Sequence, residues 1–384
     1  MSATIFTNAR LVLPAGVRDG FELIVREGRI EEIRPAEKTI RRDAIDLEGN
    51  FLAPGFVDLH LHGAIGRDTM EATAEAFRAI CAYHAGGGTT SLLLTTATAP
   101  MPEILDVLRA VRECRDEMKQ IAGVHVEGPF LSRERAGAQR AEFITNPDPR
   151  LTNELLAFAD VIARVTLAPE LPGALEAIDM FRAHQIEVSG GHSDAWEEDA
   201  RRAFEHGMRH VTHTFNCMSS ARRRGPEREA GLLEFALSEP GILCELIADG
   251  RHVSGTLMKM LNRAKGPHGI CLVTDATAGA GLAEGSAFCL GGRECVVAGG
   301  ACFLADRSAL AGSAARMIDL VQTMVRTVGL PLHEAISMAS ANPARTLRRK
   351  GKGRMEAGAD ADFVVLTPGL DVVRTYFGGR TLFG

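Results

Sequence analysis

An ordered series of metal-ligand residue types is the part of this chain most suited to chemistry. Two histidines stand two positions apart, and further donors follow at wide intervals: His60, His62, Glu127, His192, His213 and Asp275. Each donor closes a short apolar run that has the pattern of a β-strand. Because side chains alternate along a strand, His60 and His62 point to the same face. Imidazoles and carboxylates that meet in space suit a borderline-soft divalent cation, so the sequence predicts a metallohydrolase.

These donors can be shared between metal sites in more than one way. Glu127, His192 and His213 would form a three-ligand site that leaves one position for water. The first histidine pair and the aspartate, with the same glutamate as a bridge, could form a second site. We therefore expect a divalent metal, zinc by preference, at one or two ions per chain. A single histidine is more often an ordinary hydrogen-bonded residue, but a whole set of donors at successive strand ends favours a metal centre.

Two residues could act on a substrate. A carboxylate beside an activated water can accept its proton and pass it to a leaving group, which is the role we expect for Asp275. The alternatives for Asp275 are a plain metal ligand or a helix N-cap. His252 lies just beyond a strand, where it could donate to a substrate carbonyl, although it could equally have no such role. His125, two residues before Glu127, is expected to pack inside the fold.

The elements that must position these residues alternate between strand and helix patterns. Strand patterns lie at residues 56–62, 90–95, 124–127, 164–168, 186–191, 210–213, 243–248 and 270–275. Helical patterns lie between them at 73–85, 103–119, 173–184 and 197–207, and further along at 310–328 and 331–340. Catalytic groups of (β/α)₈ barrels come from the C-terminal ends of several strands. The predicted fold is therefore of the α/β class, a TIM-like (β/α)₈ metallohydrolase barrel.

Both ends of the chain have a different pattern. Short alternating runs separated by turn residues fill the first fifty residues and return at 362–366 and 372–377. We therefore predict a small β-sandwich domain from residues 1–52 plus 345–384, and a catalytic barrel from residues 53–344. The run Gly86-Gly87-Gly88 precedes a strand and lacks the Lys-Ser/Thr of a phosphate-binding loop, so it predicts a tight turn.

Composition excludes several classes of protein. The 384 residues are 46% hydrophobic and 24% charged, as in an ordinary globular protein. A net charge of −6 argues against nucleic acid as a main partner. The sequence has no secretory pattern and no apolar run long enough for a membrane span. The eight cysteines form no Cys-x-x-Cys pair, which suits a reducing compartment, so we expect a cytoplasmic protein.

Several segments resemble one family along nearly the whole chain. Residues 54–63, which contain His60-Leu61-His62, are similar to the opening signature of the amidohydrolase superfamily. The motifs at 125–131, 191–195, 212–218, 248–253, 273–276, 310–313 and 341–344 resemble those of the N-acetylglucosamine-6-phosphate deacetylases within that superfamily. The most discriminating motifs are Glu127-Gly128-Pro129 and His213-Thr214-Phe215-Asn216.

The resemblance implies a role for each matching residue. Glu127, His192 and His213 would hold the main metal. Asp275 would carry the proton, and His252 would contact the acetyl carbonyl. The residues that would bind the sugar phosphate are Ala138, Gln139, Asn216, Cys217, Leu310, Ala311 and Gly312.

The resemblance also implies a homodimer, because an arginine of this family reaches the phosphate held by the neighbouring subunit. Arg228, followed by Glu229-Ala230-Gly231, fits this position best, and Arg224 is the alternative. Two positions depart from the family pattern, with Gln139 in place of the common histidine and Ala230 in place of proline. Glutamine can donate a hydrogen bond but carries no charge, so phosphate affinity should fall or the substrate should differ.

The activity implied by the resemblance is metal-dependent hydrolysis of the acetamido group of N-acetylglucosamine 6-phosphate, with a small sugar phosphate as substrate. The alternative is an amidohydrolase that deacylates another N-acetyl amino sugar or an N-acyl amino acid, and Gln139 keeps this alternative open. A metal-free barrel with a structural role would be expected to have lost ligands, yet all the proposed donors are in the sequence.

Overall fold

The computed structural model describes residues 3–36 and 44–384, and its centre is a sheet of eight parallel strands. Each of these strands pairs with the next one along the chain: Phe56–Leu61, Thr89–Thr96, Ile121–Glu127, Ile162–Leu167, Glu187–Gly190, His210–Val211, Leu243–Leu246 and Ile270–Leu272. Main-chain hydrogen bonds of 2.7 and 3.0 Å run from His62 and Gly63 to the Ala276 carbonyl. These bonds connect the segment after the last strand to the end of the first. The predicted TIM-like barrel is therefore confirmed.

Helices lie between the barrel strands and continue after them. They span Ala74–Ala85, Met101–Cys114, Pro149–Leu156, Ala174–Ala183, Glu197–His206, Leu232–Ser238, Gly255–Lys265, Met317–Thr323, Leu332–Ala339 and Ala341–Thr346. The first of them begins where the Thr73 hydroxyl accepts a hydrogen bond from the Ala76 amide, as an N-cap does. Its buried face carries Phe77 and Ile80, which join the main hydrophobic core. The turn predicted at Gly86-Gly87-Gly88 connects this helix to the second strand.

The prediction of a helix over residues 310–328 is wrong for the first part of that range. The helix begins at Met317, ends at Thr323 and continues as a π-helical turn over Met324–Val328. The preceding residues form a loop because Gly312 has a φ of +63° and the Ser313 amide donates to the Asp275 carbonyl at 2.7 Å. A tertiary hydrogen bond thus overrides a helical pattern and places this loop beside Asp275.

Strands from both ends of the chain form a second eight-stranded sheet. Its strands are Thr4–Leu13, Gly16–Arg26, Arg29–Pro35, Ile45–Asp46, Phe51–Pro54, Phe363–Leu366, Val372–Phe377 and Arg380–Phe383. Phe6, Leu23 and Tyr376 belong to its own hydrophobic cluster. The predicted β-structure from both termini is confirmed. The domain limits at 52/53 and 344/345 remain a prediction, and residues 1, 2 and 37–43 of the predicted β-domain lie outside the described residues.

Smaller elements complete the described chain. Short 3₁₀ helices span Thr69–Glu71, Arg133–Arg135, Ala141–Phe143 and Pro267–Gly269. Two-stranded sheets pair Gly63–Ala64 with Arg67–Asp68 and Arg222–Arg224 with Glu227–Glu229. A three-stranded insertion follows the barrel at Ala287–Leu290, Arg293–Ala298 and Ala301–Leu304. Among the residues described, no helix combines the length and the apolar character that a membrane span requires.

Candidate active site

The predicted metal ligands converge on one carboxylate. Oε1 of Glu127 lies 3.4 Å from the Nε2 atoms of His60 and His192 and 3.3 Å from Nε2 of His213. Oε2 of Glu127 lies 3.2 Å from Nε2 of His62. Two three-residue groups result, and in each of them the donor atoms lie within 4.8 Å of one another. We call them the 60/62 group and the 192/213 group, after their histidines, and Glu127 is shared by both.

The donor set suits a divalent metal. The Nε2 atoms of His60 and His62 are 3.3 Å apart, and those of His192 and His213 are 3.0 Å apart. Oε1 of Glu127 is buried and faces these imidazoles, but it takes part in no hydrogen bond of ordinary geometry with the described residues. A small cation in each group would satisfy the converging nitrogen and oxygen atoms together. The choice of zinc remains a prediction.

Charged neighbours shift the pKa values of Glu127 and His62 against the effect of burial. Burial alone would raise the pKa of the Glu127 carboxyl, but the neighbouring imidazoles, His60 foremost, hold that pKa well below its usual range. Burial alone would lower the pKa of His62, whereas its contacts with Asp275 and Glu127 raise it to about 9. The carboxylate therefore stays ionised, as a metal ligand must.

Asp275 lies beside the 60/62 group. Its Oδ1 is 3.4 Å from Nε2 of both His60 and His62. Burial would raise the pKa of Asp275, but the charge on His60 and the hydrogen bond with His62 lower it to about 2. Its main-chain amide donates to the His60 carbonyl at 2.8 Å, which ties it to the first strand. An ionised carboxylate in this place can accept a proton from a water in the cavity.

Three of the site residues lie well beyond the ends of their strands. His192, His213 and Asp275 stand two or three residues beyond the observed strands and have φ values of +45°, +31° and +48°. The strands predicted to reach the last two of these residues are shorter than expected. Residues with side chains adopt this left-handed region rarely, and such conformations collect at functional sites. The strained backbone aims three side chains at the space beside Glu127.

His252 faces the same cavity and has a carboxylate partner. Its Nδ1 lies 2.7 Å from Oδ2 of Asp249, and its main-chain amide donates to Oδ1 of Asp249 at 2.9 Å. Burial lowers the pKa of His252, but the hydrogen bond and charge of Asp249 outweigh burial and raise it. Sequence reasoning missed Asp249. A carboxylate three residues before a candidate histidine was the signal that could have identified it.

The cavity over the metal ligands has a volume of about 220 Å³ and brings most of the predicted substrate residues together. Its lining contains Ala138, Gln139, Asn216, Cys217, Leu310 and Gly312, next to Glu127, His62, His192, His213, His252 and Asp275. Ala311 is not part of this lining, because it is buried and its amide donates to the Cys302 carbonyl at 2.9 Å. Gly137, Leu290 and Ala309 line the cavity and were not predicted. The individual roles of these residues remain predictions.

Both ends of the Gln139 amide are held by hydrogen bonds. Its Nε2 donates to Oε2 of Glu127 at 2.7 Å, and its Oε1 accepts from the Thr98 amide at 2.7 Å. The side chain is therefore engaged with a candidate metal ligand. A role for Gln139 at the substrate phosphate stays a prediction.

The two candidate phosphate-binding arginines lie on the exposed hairpin after His213. Arg224 contacts Glu198 at 2.6 Å and Glu229 at 3.1 Å. Arg228 is exposed, does not line the cavity and makes no ion pair within the described part of the chain. Of the two, Arg228 is thus the arginine without an ion pair to another described residue.

Known proteins match the chain along nearly its full length. The model of the amidohydrolase family matches residues 51–382. The N-acetylglucosamine-6-phosphate deacetylase of Lysinibacillus sphaericus is 33% identical over 98% of this chain and 97% of its own length. The Mus musculus protein of the same name is 35% identical over 98% of this chain and 95% of its own.

Solved structures agree with these relatives. N-acetylglucosamine-6-phosphate deacetylase from Pasteurella multocida superposes with a TM-score of 0.93 at 33% identity and covers 99% of both chains. A variant of the Mycobacterium smegmatis enzyme, solved in complex with N-acetyl-D-glucosamine-6-phosphate, also has a TM-score of 0.93, at 30% identity and full coverage of both chains. The chain therefore belongs to the amidohydrolase family and, within it, to the N-acetylglucosamine-6-phosphate deacetylases.

Proposed function

We propose that this chain hydrolyses the acetamido group of N-acetylglucosamine 6-phosphate to glucosamine 6-phosphate and acetate. The observation that carries the proposal is that Asp275, His252 and three histidines drawn from both metal-ligand groups, His62, His192 and His213, line one cavity. Relatives at 33% and 35% identity, matched over 98% of this chain, have the name of this deacetylase.

Two sets of residues would hold the metal. Glu127, His192 and His213 would bind the main ion, and His60 and His62 would bind a second one next to Glu127. A bound divalent ion, zinc by preference, supplies Lewis-acid polarisation of a water molecule and of a carbonyl oxygen.

Asp275 moves the proton. Its carboxylate accepts a proton from water while the water oxygen forms a bond to the acetamido carbonyl carbon. The carbon–nitrogen bond then breaks, and Asp275 returns the proton to the departing nitrogen. The amine and acetic acid are released with Asp275 again ionised, and the acid gives its remaining proton to the amine or to water to become acetate.

His252 binds the carbonyl oxygen. With Nδ1 hydrogen-bonded to Asp249, a protonated His252 directs its Nε2–H into the cavity. Negative charge develops on the carbonyl oxygen during attack, and a fixed donor at that point stabilises it. Asp249 acts through His252, as a positioning residue that keeps the imidazole protonated and oriented.

The sugar phosphate would occupy the rest of the cavity. Ala138, Asn216, Cys217, Leu310 and Gly312 would line it. Ala311 would hold the loop in place through its bond to the Cys302 carbonyl, and Gln139 would act mainly on Glu127. In this proposal neutral Gln139 adds little to phosphate binding, so most of the charge must come from an arginine.

That arginine would come from a second copy of the chain. We infer a homodimer in which Arg228 of each subunit reaches the phosphate in the neighbouring site. The exposed hairpin position of Arg228 supports this inference, as does its freedom from ion pairs with the described residues. Arg224, which is held by Glu198 and Glu229, is the weaker candidate.

We also infer that the protein works in the cytoplasm. All eight cysteines are free, and burial raises the pKa of the Cys81 and Cys271 thiols to about 12. Thiols of this kind behave as small apolar core residues, which suits a reducing compartment.

A second function keeps the same chemistry with another N-acyl substrate, either a different N-acetyl amino sugar or an N-acyl amino acid. The observation in its favour is the neutral Gln139, whose amide is already bonded to Glu127. Ala230, where the family has proline, is the second departure on the phosphate side.

The test is acetate release from N-acetylglucosamine 6-phosphate by zinc-loaded protein, measured beside unphosphorylated N-acetylglucosamine. A strong preference for the phosphorylated sugar is expected. Arg228→Ala should raise the KM for the phosphorylated sugar. Arg224→Ala, on the same hairpin, is the matched control and should change that KM less. Little activity on either sugar with metal bound would contradict the proposal and favour the other N-acyl substrates.

A further inference from the structure

A buried ion pair lies beneath the metal ligands. Arg164 on the fourth barrel strand and Glu245 on the seventh have no exposed surface, and the guanidinium contacts Oε1 of Glu245. Nη2 of Arg164 donates to Oγ of Ser189 at 2.8 Å. Taking two charges out of water is costly unless their geometry and further hydrogen bonds compensate. We therefore expect this ion pair inside the barrel to have a role besides packing.

The other oxygen of Glu245 faces the metal-ligand set. Oε2 lies 3.4 Å from Nδ1 of His60 and 3.2 Å from the main-chain nitrogen of His213. One carboxylate thus contacts both ligand groups, through a side chain in the 60/62 group and through the backbone in the 192/213 group. The ring of His60 is therefore held from the side that points away from Glu127.

We propose that Glu245, oriented by Arg164, is the positioning residue that makes His60 a metal ligand. The inference rests on the proposed metal-dependent function. It states which residue orients a ligand of the second ion, the one that His60, His62 and Glu127 would hold. If Nδ1–H of His60 donates to Glu245, the lone pair of Nε2 is left for a cation. That nitrogen lies 3.3 Å from Nε2 of His62 and 3.4 Å from Oε1 of Glu127.

In the 192/213 group the ring of His192 is also held through its Nδ1, but by a main-chain carbonyl. Nδ1 of His192 lies 2.8 Å from the Arg135 carbonyl, and its Nε2 faces Glu127. A metal-binding histidine generally donates its other ring N–H to a carbonyl or a carboxylate, which fixes the tautomer. His60 has a carboxylate where His192 has a carbonyl. Removing Glu245 should therefore weaken the ion of the 60/62 group and spare the other, in which Glu245 contacts a main-chain amide and no ligand ring.

The test measures zinc binding to metal-free, full-length protein by equilibrium dialysis with elemental analysis. The main variant is Arg164→Met with Glu245→Leu, which removes both charges and leaves neither of them buried alone. A second variant, Arg164→Met with Glu245→Gln, keeps an oxygen that can accept from His60. Glu187→Gln is the matched control, because Glu187 is also a buried barrel carboxylate paired with arginines but contacts no site histidine.

We expect the unchanged chain to bind two zinc ions. The Leu variant should bind the first ion normally and the second at least about tenfold more weakly, the usual scale for losing a partner of a metal ligand. The Gln variant should recover part of this loss, and Glu187→Gln should match the unchanged chain. Equal affinity for the second ion in the Leu variant would overturn the proposal, and so would a single zinc on the saturated unchanged chain.

A further variant covers the case in which the ion-pair variants do not fold. His60→Gln leaves Arg164 and Glu245 in place and should produce the same selective loss of one ion. Retention of both ions by His60→Gln would overturn the proposal. Because zinc is counted without substrate, a protein that binds two ions but releases no acetate contradicts the proposed function and leaves the role of Glu245 intact.

Discussion

The two histidine groups around Glu127 are built in different ways. His60 and His62 are two residues apart at the end of one strand, so the alternation of a strand already places both rings on one face. His192 and His213 belong to loops after different strands and have left-handed backbones. Their rings nevertheless come within 3.0 Å of each other.

The difference separates local from global causes of a binding site. The pairing of His60 with His62 needs only a correct strand, but the orientation of the His60 ring depends on a carboxylate more than 180 residues away in the chain. The 192/213 group depends on barrel closure and on backbone strain that the rest of the fold must hold. We therefore expect the two groups to respond differently to substitution.

The largest expected effect follows from breaking the 192/213 group. His192→Asn should lower kcat/KM at least about 10³-fold, because Lewis-acid stabilisation is worth several kcal/mol and the 192/213 group would hold the main ion. His60→Asn should cost less, roughly ten- to a hundredfold, if the main ion remains. Steady-state kinetics and the metal content of both variants test this ranking of the two groups. The variant His206→Asn, at a surface histidine, is the control. A larger loss for His60→Asn would reverse the ranking of the groups.

Asp275→Asn tests the residue that contacts the 60/62 group from the opposite side. The amide cannot take a proton from water, so kcat should fall on the order of 10²–10⁴-fold while metal content stays near normal. Steady-state kinetics and elemental analysis of the same sample check both statements. Unchanged turnover would exclude Asp275 as the proton carrier.

Asp249→Asn should produce a smaller and pH-dependent effect. Burial lowers the pKa of His252 and Asp249 raises it above its ordinary value, so protonated His252 persists to higher pH and is lost as pH rises through that pKa. Without the carboxylate this pKa falls, and the alkaline limb of kcat should move to lower pH. The loss at neutral pH should be about tenfold.

A pH–kcat profile measures this shift. Asp179→Asn, at a surface pair in which Asp179 lies 2.9 Å from His206, is the matched control and should leave the profile unchanged. An alkaline limb at the same pH in Asp249→Asn and in the unchanged chain would contradict the role given to His252.

The smallest expected effect concerns stability and the segment after His62. His84 is buried with Nε2 3.3 Å from the Gly63 carbonyl, and burial lowers the pKa of His84 to about 4. In the unfolded chain His84 takes up a proton near pH 6.5. The contribution of neutral His84 to the free energy of unfolding is therefore complete above pH 6.5 and is lost as pH falls toward 4. At pH 5 the loss should be about 2 kcal/mol.

Urea unfolding of metal-free protein at pH 7 and pH 5 tests this prediction. His84→Gln should be less sensitive to acid than the unchanged chain by about that amount. Equal acid sensitivity of the two proteins would mean that His84 is not kept neutral in the fold.

Much of the architecture was predictable because it depends on short-range patterns. Apolar runs predicted all eight barrel strands, and the helical pattern at 73–85 predicted the helix Ala74–Ala85. The 310–316 loop was not predictable, because a tertiary bond from Ser313 to Asp275 replaces a helical pattern there. The partnership of Asp249 with His252 needed only a three-residue spacing, and that signal was overlooked.

What the sequence by itself determined is the set of donor types, the shared face of His60 and His62, and the strand–helix alternation that brings strand ends to one rim. These properties follow from side-chain chemistry and from the repeat of a single strand or helix. What only the tertiary structure decided is the hydrogen bond of the Gln139 amide to Glu127 and the carboxylate of Glu245 behind His60. Those contacts join residues far apart in the chain, and their distances exist only once the barrel has closed.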